Sequence, residues 1–273
     1  MSSIPFVKML ANGNSLLLVD ARNLADHDWA EIARQTAAPA TGIGHDGLIV
    51  VLPSEIADVR QRMFNPDGTE DMCGNGLRCI GKLLFSAGTT GSRLTIETIA
   101  GVRRVELLTT DSGEELVRAE IGRAQILPVP EAPSVAVEPK VAALIKDSFL
   151  VDMGTPHLVI PTLQEISESD WAPISAELEV NGIPGERVTV SWFAADGSGV
   201  WRARFWERSV GETMSCGTGV AAILSVGIHL QLVKSSAVVV TPGGAIRAEM
   251  DPCGSVHITG RVAIACVGDW VMR

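Results

Sequence analysis

The chain has no cluster of Lys or Arg. Its 22 basic residues are scattered among 32 acidic ones, for a formal net charge of −10 and a pI near 5.0. That distribution argues against a surface for nucleic acid or an anionic membrane and points to a small-molecule ligand. Long apolar runs are lacking too. The longest, such as 47–52 and 220–226, are too short to span a bilayer, and Met1-Ser2-Ser3-Ile4-Pro5 lacks the basic-then-apolar order of an export signal. A soluble, cytoplasmic protein without a membrane partner is expected. The cysteines at 73, 79, 216, 253 and 266 are odd in number and form no C-x-x-C pair, and the histidines at 27, 45, 157, 229 and 257 show no ligand spacing. Neither a disulfide framework nor a zinc or other metal site is therefore expected.

What is present is one short phrase that occurs twice. Cys73-Gly74-Asn75-Gly76 and Cys216-Gly217-Thr218-Gly219 each open an apolar, helix-like stretch, and 273 residues are ample for two domains with one phrase apiece. Gly74–Phe85 carries a helical stripe of Leu77, Ile80, Leu83 and Leu84. Val220–Leu230 is apolar on nearly every face, so it should be a buried helix with a sheet wrapped around it.

Around these helices the pattern is mostly of short strands, roughly fifteen in all, with no regular alternation of strand and helix. Phe6–Met9 and Leu16–Asp20 read as strands joined by a loop, Ala11-Asn12-Gly13-Asn14-Ser15, that can aim amides at a ligand. Asp26–Thr36 reads as an outer helix capped by Asp26. Asp111-Ser112-Gly113 is a candidate boundary, Pro139–Asp147 a short helix, and Leu163–Leu178 a helical segment broken at Pro173. Val188–Ala194 and Val200–Trp206 alternate as a hairpin around Asp196-Gly197-Ser198-Gly199, and four strands between 235 and 272 complete the chain. The expected fold is α+β: two pseudo-symmetric domains, each a mainly antiparallel sheet around a central helix, with the active site in the cleft between them. The expected halves are 1–113 and 114–262, with 263–273 returning to the first.

A cysteine at a helix N-terminus meets the positive end of the peptide dipoles, which favours its thiolate and makes it usable as a base near neutral pH. Glycines at the next and third positions let backbone N–H groups approach a ligand and hold a carboxylate. Two such termini around one carboxylate suit the removal of a proton from the adjacent carbon and its return on the opposite face, because preorganised donors stabilise the charge that flows into the carboxylate. That chemistry requires no pyridoxal phosphate, and no cofactor is expected. Free cysteines are commonly small buried hydrophobes. Cys79, Cys253 and Cys266 are read that way, whereas the duplicated context of Cys73 and Cys216 favours function. Gly217-Thr218-Gly219-Val220-Ala221-Ala222 also fits a loose dinucleotide pattern, but no strand runs directly into it and no acid follows about 20 residues on.

Taken together, these residues resemble the cofactor-independent diaminopimelate epimerases. The markers are Gly13-Asn14, Gly42-Ile43-Gly44 with Asp46-Gly47, Asn65-x-Asp67-Gly68, Met72-Cys73-Gly74-Asn75-Gly76 with Arg78-Cys79, Met153-Gly154-x-Pro156-His157, Glu207-Arg208, and Gly211-Glu212-Thr213 before Cys216-Gly217-Thr218-Gly219. The resemblance implies Cys73 and Cys216 as the acid/base pair and the amides of Gly74, Asn75, Gly217 and Thr218 as the carboxylate cradle. It places His157 and Glu207 near the reacting amine and thiols, and gives Asn14, Asn65, Glu207 and Arg208 to the substrate, with Arg208 as a fork on the distal carboxylate. The implied reaction takes LL-diaminopimelate to the meso form, toward lysine and cell-wall cross-links.

The chain departs from the family pattern at Ser15-Leu16, Thr155 and Thr189, where Asp-Phe and two asparagines are usual, and the loop from Asn65 to Cys73 is one residue short. The two missing asparagines help grip the far end of the substrate in the family, so a racemase or epimerase of another amino acid is the competing reading. A third is a two-domain amino-acid-binding protein without chemistry, in which both cysteines would be superfluous. The sequence sets no oligomeric state, and a homodimer stays open.

Overall fold

The computed structural model describes residues 3–128 and 146–272. The helix expected over 139–147 falls almost wholly outside them. The chain forms two compact units, one of residues 1–120 with 259–273 and the other of 121–258. Both are α+β, and they are built to one plan.

In the first unit Ser3–Ala11 runs antiparallel to Asn14–Asp20, which pairs in parallel with Gly47–Leu52. Gly47–Leu52 is antiparallel to Val59–Phe64, and that strand takes two further partners, the short antiparallel Glu70–Asp71 and the parallel Arg93–Thr98. Arg93–Thr98 is antiparallel to Gly101–Thr109. The second unit repeats each step. Phe149–Asp152 is antiparallel to Pro156–Ile160, which is parallel to Thr189–Ala195. That strand is antiparallel to Val200–Glu207, which takes the short antiparallel Gly211–Thr213 and the parallel Ser236–Thr241. Ser236–Thr241 is antiparallel to Gly244–Met250.

A parallel neighbour needs a long crossover, and four helices supply them. They are α1 (Trp29–Ala37), α2 (Gly74–Ser86), α3 (Glu168–Asn181) and α4 (Gly217–His229). The first of each pair, α1 or α3, lies in the first crossover of its unit. The second, α2 or α4, follows the short strand and is the central helix. Within its unit α2 touches the strands at 3–11, 14–20, 93–98, 101–109 and 262–271, and α4 touches those at 149–152, 156–160, 189–195, 236–241 and 244–250. Every residue of α4 from Gly217 to Gly227 is buried, which is why its sequence carries no polar face. Trp201 lies across it, so close that a Cβ at Gly227 would fall 2.1 Å from the indole. The last strand, Val262–Val271, pairs antiparallel with Ser3–Ala11 in the first unit.

Several local readings need correction. Asp111-Ser112-Gly113 is not a boundary but the turn between Gly101–Thr109 and Glu115–Arg123, which pair antiparallel, so the chain leaves the first unit several residues later. Asp28 rather than Asp26 caps α1, accepting from the Glu31 amide at 3.0 Å, while Asp26 takes the His27 amide. Pro173 does not break α3; it sits on the exposed face, where the hydrogen bond it forfeits would have faced water. The turn between the first two strands is only Asn12-Gly13, both at positive φ (50° and 79°) as a two-residue hairpin turn requires, so Asn14 and Ser15 belong to the strand. All five cysteines are free thiols, but only Cys79 of the three read as core is buried, and Cys253 and Cys266 are exposed.

Candidate active site

In each unit the short strand delivers a cysteine to the N-cap of the central helix. Cys73 has φ −128° and ψ 108°, and Cys216 has φ −121° and ψ 115°, so the two caps are nearly superimposable in backbone conformation. An extended N-cap leaves the first helical N–H groups without helical partners, and an anion can accept from them. The third-position glycines have a packing reason besides. A Cβ at Gly76 would lie 2.6 Å from Ile49 and 2.8 Å from Gln61, and one at Gly219 2.7 Å from the Phe205 ring, so only glycine lets the helix N-terminus sit down on its sheet.

Around Cys73 the residues are polar and tightly linked. The half-buried Cys73 sulfur accepts from the Gly76 amide at 3.3 Å, and its carbonyl accepts from Gln61 at 3.4 Å. Asn75, at 2% exposure, donates through Nδ2 to Asn14 Oδ1 at 3.3 Å. Asn14 donates in turn to Asp46 Oδ2 at 2.9 Å, and the same oxygen accepts from the Ser15 amide at 2.7 Å. Burial raises the Asp46 carboxyl above its usual range, against which these two donors and Lys8 work. Asn65 does not join the network; its amide donates to Thr69 Oγ1 at 3.0 Å across the turn before Glu70–Asp71. Cys73, Asn14, Asn75 and the Gly74 amide are thus gathered at one helix end, and Asn65 lies on the neighbouring loop.

Around Cys216 the charged neighbour is a carboxylate. Cys216 is 4% exposed, and its sulfur lies 3.4 Å from Thr218 Oγ1. Burial pushes its thiol well above the ordinary value, the Glu207 carboxylate adds to that, and the Thr218 hydroxyl and Gly219 amide only partly oppose it. Desolvation and a like charge thus work against the helix dipole that the sequence places at this cysteine. Glu207 ends the strand Val200–Glu207, and its Oε1 accepts from Thr213 Oγ1 at 2.5 Å. Replacing Glu207 with Gln should therefore bring the Cys216 thiol down. The check is the pH dependence of Cys216 alkylation, whose midpoint is expected to fall in Glu207→Gln; an unmoved midpoint would show that the carboxylate does not reach the sulfur.

His157 is wholly buried, with Nδ1 3.2 Å from Ser191 Oγ. Burial, with Arg208 adding to it, lowers its pKa to about 3, so the ring is neutral. Arg208 donates through Nη2 to Thr155 Oγ1 at 3.2 Å. Cys216, Glu207 and Thr218 thus form one group, and His157, Arg208 and Thr155 a second. Asp46, Thr213 and Ser191, which hold site residues in place, were not picked out from the sequence as site groups. Asp46 and Thr213 carried a signal as members of the motifs Asp46-Gly47 and Gly211-Glu212-Thr213, whereas Ser191 carried none.

The sequence model of the family described as diaminopimelate epimerase matches residues 6–127 and 149–264. A diaminopimelate epimerase of Desulforudis audaxviator is 34% identical over 97% of this chain and 99% of its own. One of Methanococcus maripaludis is 31% identical over 97% of this chain and 98% of its own. Among solved structures, a hydroxyproline epimerase from Agrobacterium vitis with bound trans-4-hydroxy-L-proline superposes with a TM-score of 0.76 at 15% identity, covering 98% of this chain and 92% of that one. A Bacillus anthracis phenazine biosynthesis protein of the PhzF family gives 0.73 at 19% identity, over the full length of both. The structural likenesses carry the fold alone. With the full-length family match and the duplicated cysteine-capped helices, the conclusion is that this chain is an isomerase and belongs to the diaminopimelate epimerase family.

Proposed function

We propose that the enzyme converts LL-diaminopimelate to meso-diaminopimelate with Cys73 and Cys216 as its two bases and without a cofactor. The observation that carries this reading is the pair of matched N-caps, the same backbone conformation repeated at two cysteines, each with glycines behind it and a buried helix below. The Cys73 thiolate takes the proton from the carbon between amine and carboxylate. The electron pair left on that carbon spreads into the carboxylate, held by the amides of Gly74, Asn75, Gly217 and Thr218. The Cys216 thiol then gives its proton to the opposite face and is left as the thiolate. Removing one such amide donor typically costs on the order of 100- to 1,000-fold in rate. The raised pKa of Cys216 suits the role of proton donor in this direction.

Asn14 and Asn75, fixed by Asp46, offer amides to the substrate, with Asn65 beside them. Glu207 attracts the ammonium group, and the neutral His157 can hydrogen-bond to it without repelling it. Arg208 takes the distal carboxylate as a fork. One observation favours a second reading. Thr155 stands at the Arg208 guanidinium, and Thr155 and Thr189 are both buried where the family usually has asparagine, so the far end of the site differs in chemistry. A different amino acid would then be inverted by the same pair. The test is a panel of amino acids incubated with enzyme and reductant in D2O and followed for exchange at the α-carbon. Exchange with diaminopimelate and not with monocarboxylic amino acids is expected. Exchange with another amino acid alone would move the assignment to the second reading, and exchange with none would end both.

A further inference from the structure

We propose that Arg78 is a positioning residue, a buried cation seated against Asn12, Asn75 and Gly260 that makes Cys73, rather than Cys216, the thiolate of the unliganded enzyme. The inference rests on the two-thiol reading above and explains how two similar halves are assigned different proton states.

Arg78 lies on α2 five residues after Cys73 and is completely buried. Its Nη1 donates to Asn12 Oδ1 at 2.7 Å and its Nη2 to Asn75 Oδ1 at 2.6 Å, both neutral acceptors, while Nε has no partner. Among the described residues no carboxylate pairs with it. The seat is shaped for the guanidinium: a Cβ at Gly260 would fall 2.4 Å from Nη1 and 2.5 Å from Asn12 Oδ1. A charge taken out of water without a counter-ion is costly, and this one also stands near the positive end of its own helix. Such an arrangement persists where an anion nearby gains from it.

Two thiols are close enough to feel this charge, Cys73 and Cys79. Cys79 is sealed in the core, and burial drives its thiol far above the ordinary range, so it stays protonated. Cys73 is half-buried, with an amide already directed at its sulfur. The other charged groups around α2 do not substitute for Arg78. On the strands packed against it, Arg93 pairs with Glu106 and Glu97 with Arg60 at the surface, Arg103 donates to the carbonyls of Ala100 and Val102, Asp20 pairs with Arg22, and Arg104 and Asp269 are exposed. Lys8 lies toward Asp46 and His45, and Asp71, two residues before Cys73, is itself acidic. In α4 the residue five places after Cys216 is Ala221, and the charge beside that thiol is the Glu207 carboxylate. One half thus sets a cation behind its sulfur and the other an anion beside it.

The experiment is the pH dependence of Cys73 alkylation by iodoacetamide in the unliganded protein, resolved by peptide mass spectrometry, for wild type, Arg78→Met, Arg78→Gln and Arg78→Lys. The neutral variants should move the Cys73 midpoint up by about one pH unit or more, making alkylation about tenfold slower below the midpoint. Arg78→Lys should stay near the wild type because it keeps the charge, and the Cys216 midpoint should not move. A Cys73 midpoint that is unchanged or lowered in a folded neutral variant overturns the proposal, as does an Arg78→Lys midpoint that moves as far as Arg78→Met. Should neither neutral variant fold, Asn12→Asp keeps the guanidinium and its contact but sets a carboxylate against it, and there too an unmoved midpoint overturns the idea. No substrate enters this measurement. Failure of the two-thiol reading would show instead as turnover surviving the loss of Cys73, so the two can fail separately.

Discussion

Cys73→Ala and Cys216→Ala are each expected to lose stereoinversion almost completely, by about a thousandfold or more, with the fold intact. General acid–base groups typically contribute 100- to 10,000-fold, and inversion needs one group to take the proton and another, on the opposite face, to return it. Neither half can do the work of both. The structural cost of each change is small by comparison. Cys73 contributes a capping bond from the Gly76 amide at 3.3 Å, of a kind worth about 0.5–2 kcal/mol. Cys216 is a small side chain at the mouth of a helix that is otherwise buried over its first eleven residues, so α4 keeps its packing when the sulfur is removed. Serine would preserve the shape and still fail, because its hydroxyl is too weak an acid to supply a base near neutral pH. Turnover with a polarimetric or chiral-chromatographic readout, paired with thermal unfolding of each variant, makes the check. Wild-type-like inversion in either alanine variant would remove that cysteine from the mechanism.

How much of this was legible in the sequence depends on the range of the forces involved. Local and repeated features came through. The stripe Leu77, Ile80, Leu83 and Leu84 gave α2, the nearly all-round apolarity of 220–230 gave α4 as a buried helix, and the doubled C-G-x-G phrase gave the two N-caps. Features decided by tertiary contact did not. The Asp111-Ser112-Gly113 turn looks the same in sequence whether it links domains or closes a hairpin, and only the pairing of Gly101–Thr109 with Glu115–Arg123 decides. Pro173 reads as a helix breaker until the face it occupies is known. Cys253 and Cys266 read as core because cysteine usually is, yet both are exposed. The largest gap is electrostatic. The two helix N-termini look alike in sequence and do not say which cysteine is the thiolate, because Glu207 approaches Cys216 through the fold of a hairpin, and Arg78 is hidden in a motif where it could have been taken for a surface residue.

Arg208→Met is expected to remove most activity toward a substrate with a second carboxylate and to leave monocarboxylic amino acids little affected. Arg208 follows the strand Val200–Glu207 at the corner of a turn closed by the Val210 amide on the Glu207 carbonyl at 3.2 Å, with Ser209 at φ 60°. The turn fixes the backbone on both sides of the arginine, and the Thr155 hydroxyl, 3.2 Å from Nη2, steadies the guanidinium. A planar fork pairs bidentately with a carboxylate, which an ammonium does poorly, so Arg208→Lys should fall between wild type and Arg208→Met. Truncating one partner of a desolvated charge pair costs about 2–5 kcal/mol, roughly thirtyfold to a few thousandfold in kcat/KM. If Arg208 merely made a surface ion pair, the effect would be about 0–1 kcal/mol and would not depend on the substrate. Kinetics of the wild type and both variants with diaminopimelate and with monocarboxylic amino acids separate these outcomes. Should Arg208→Met keep its kcat/KM on diaminopimelate, Arg208 is not the distal anchor, and the assignment of that substrate loses the residue that most directly selects it.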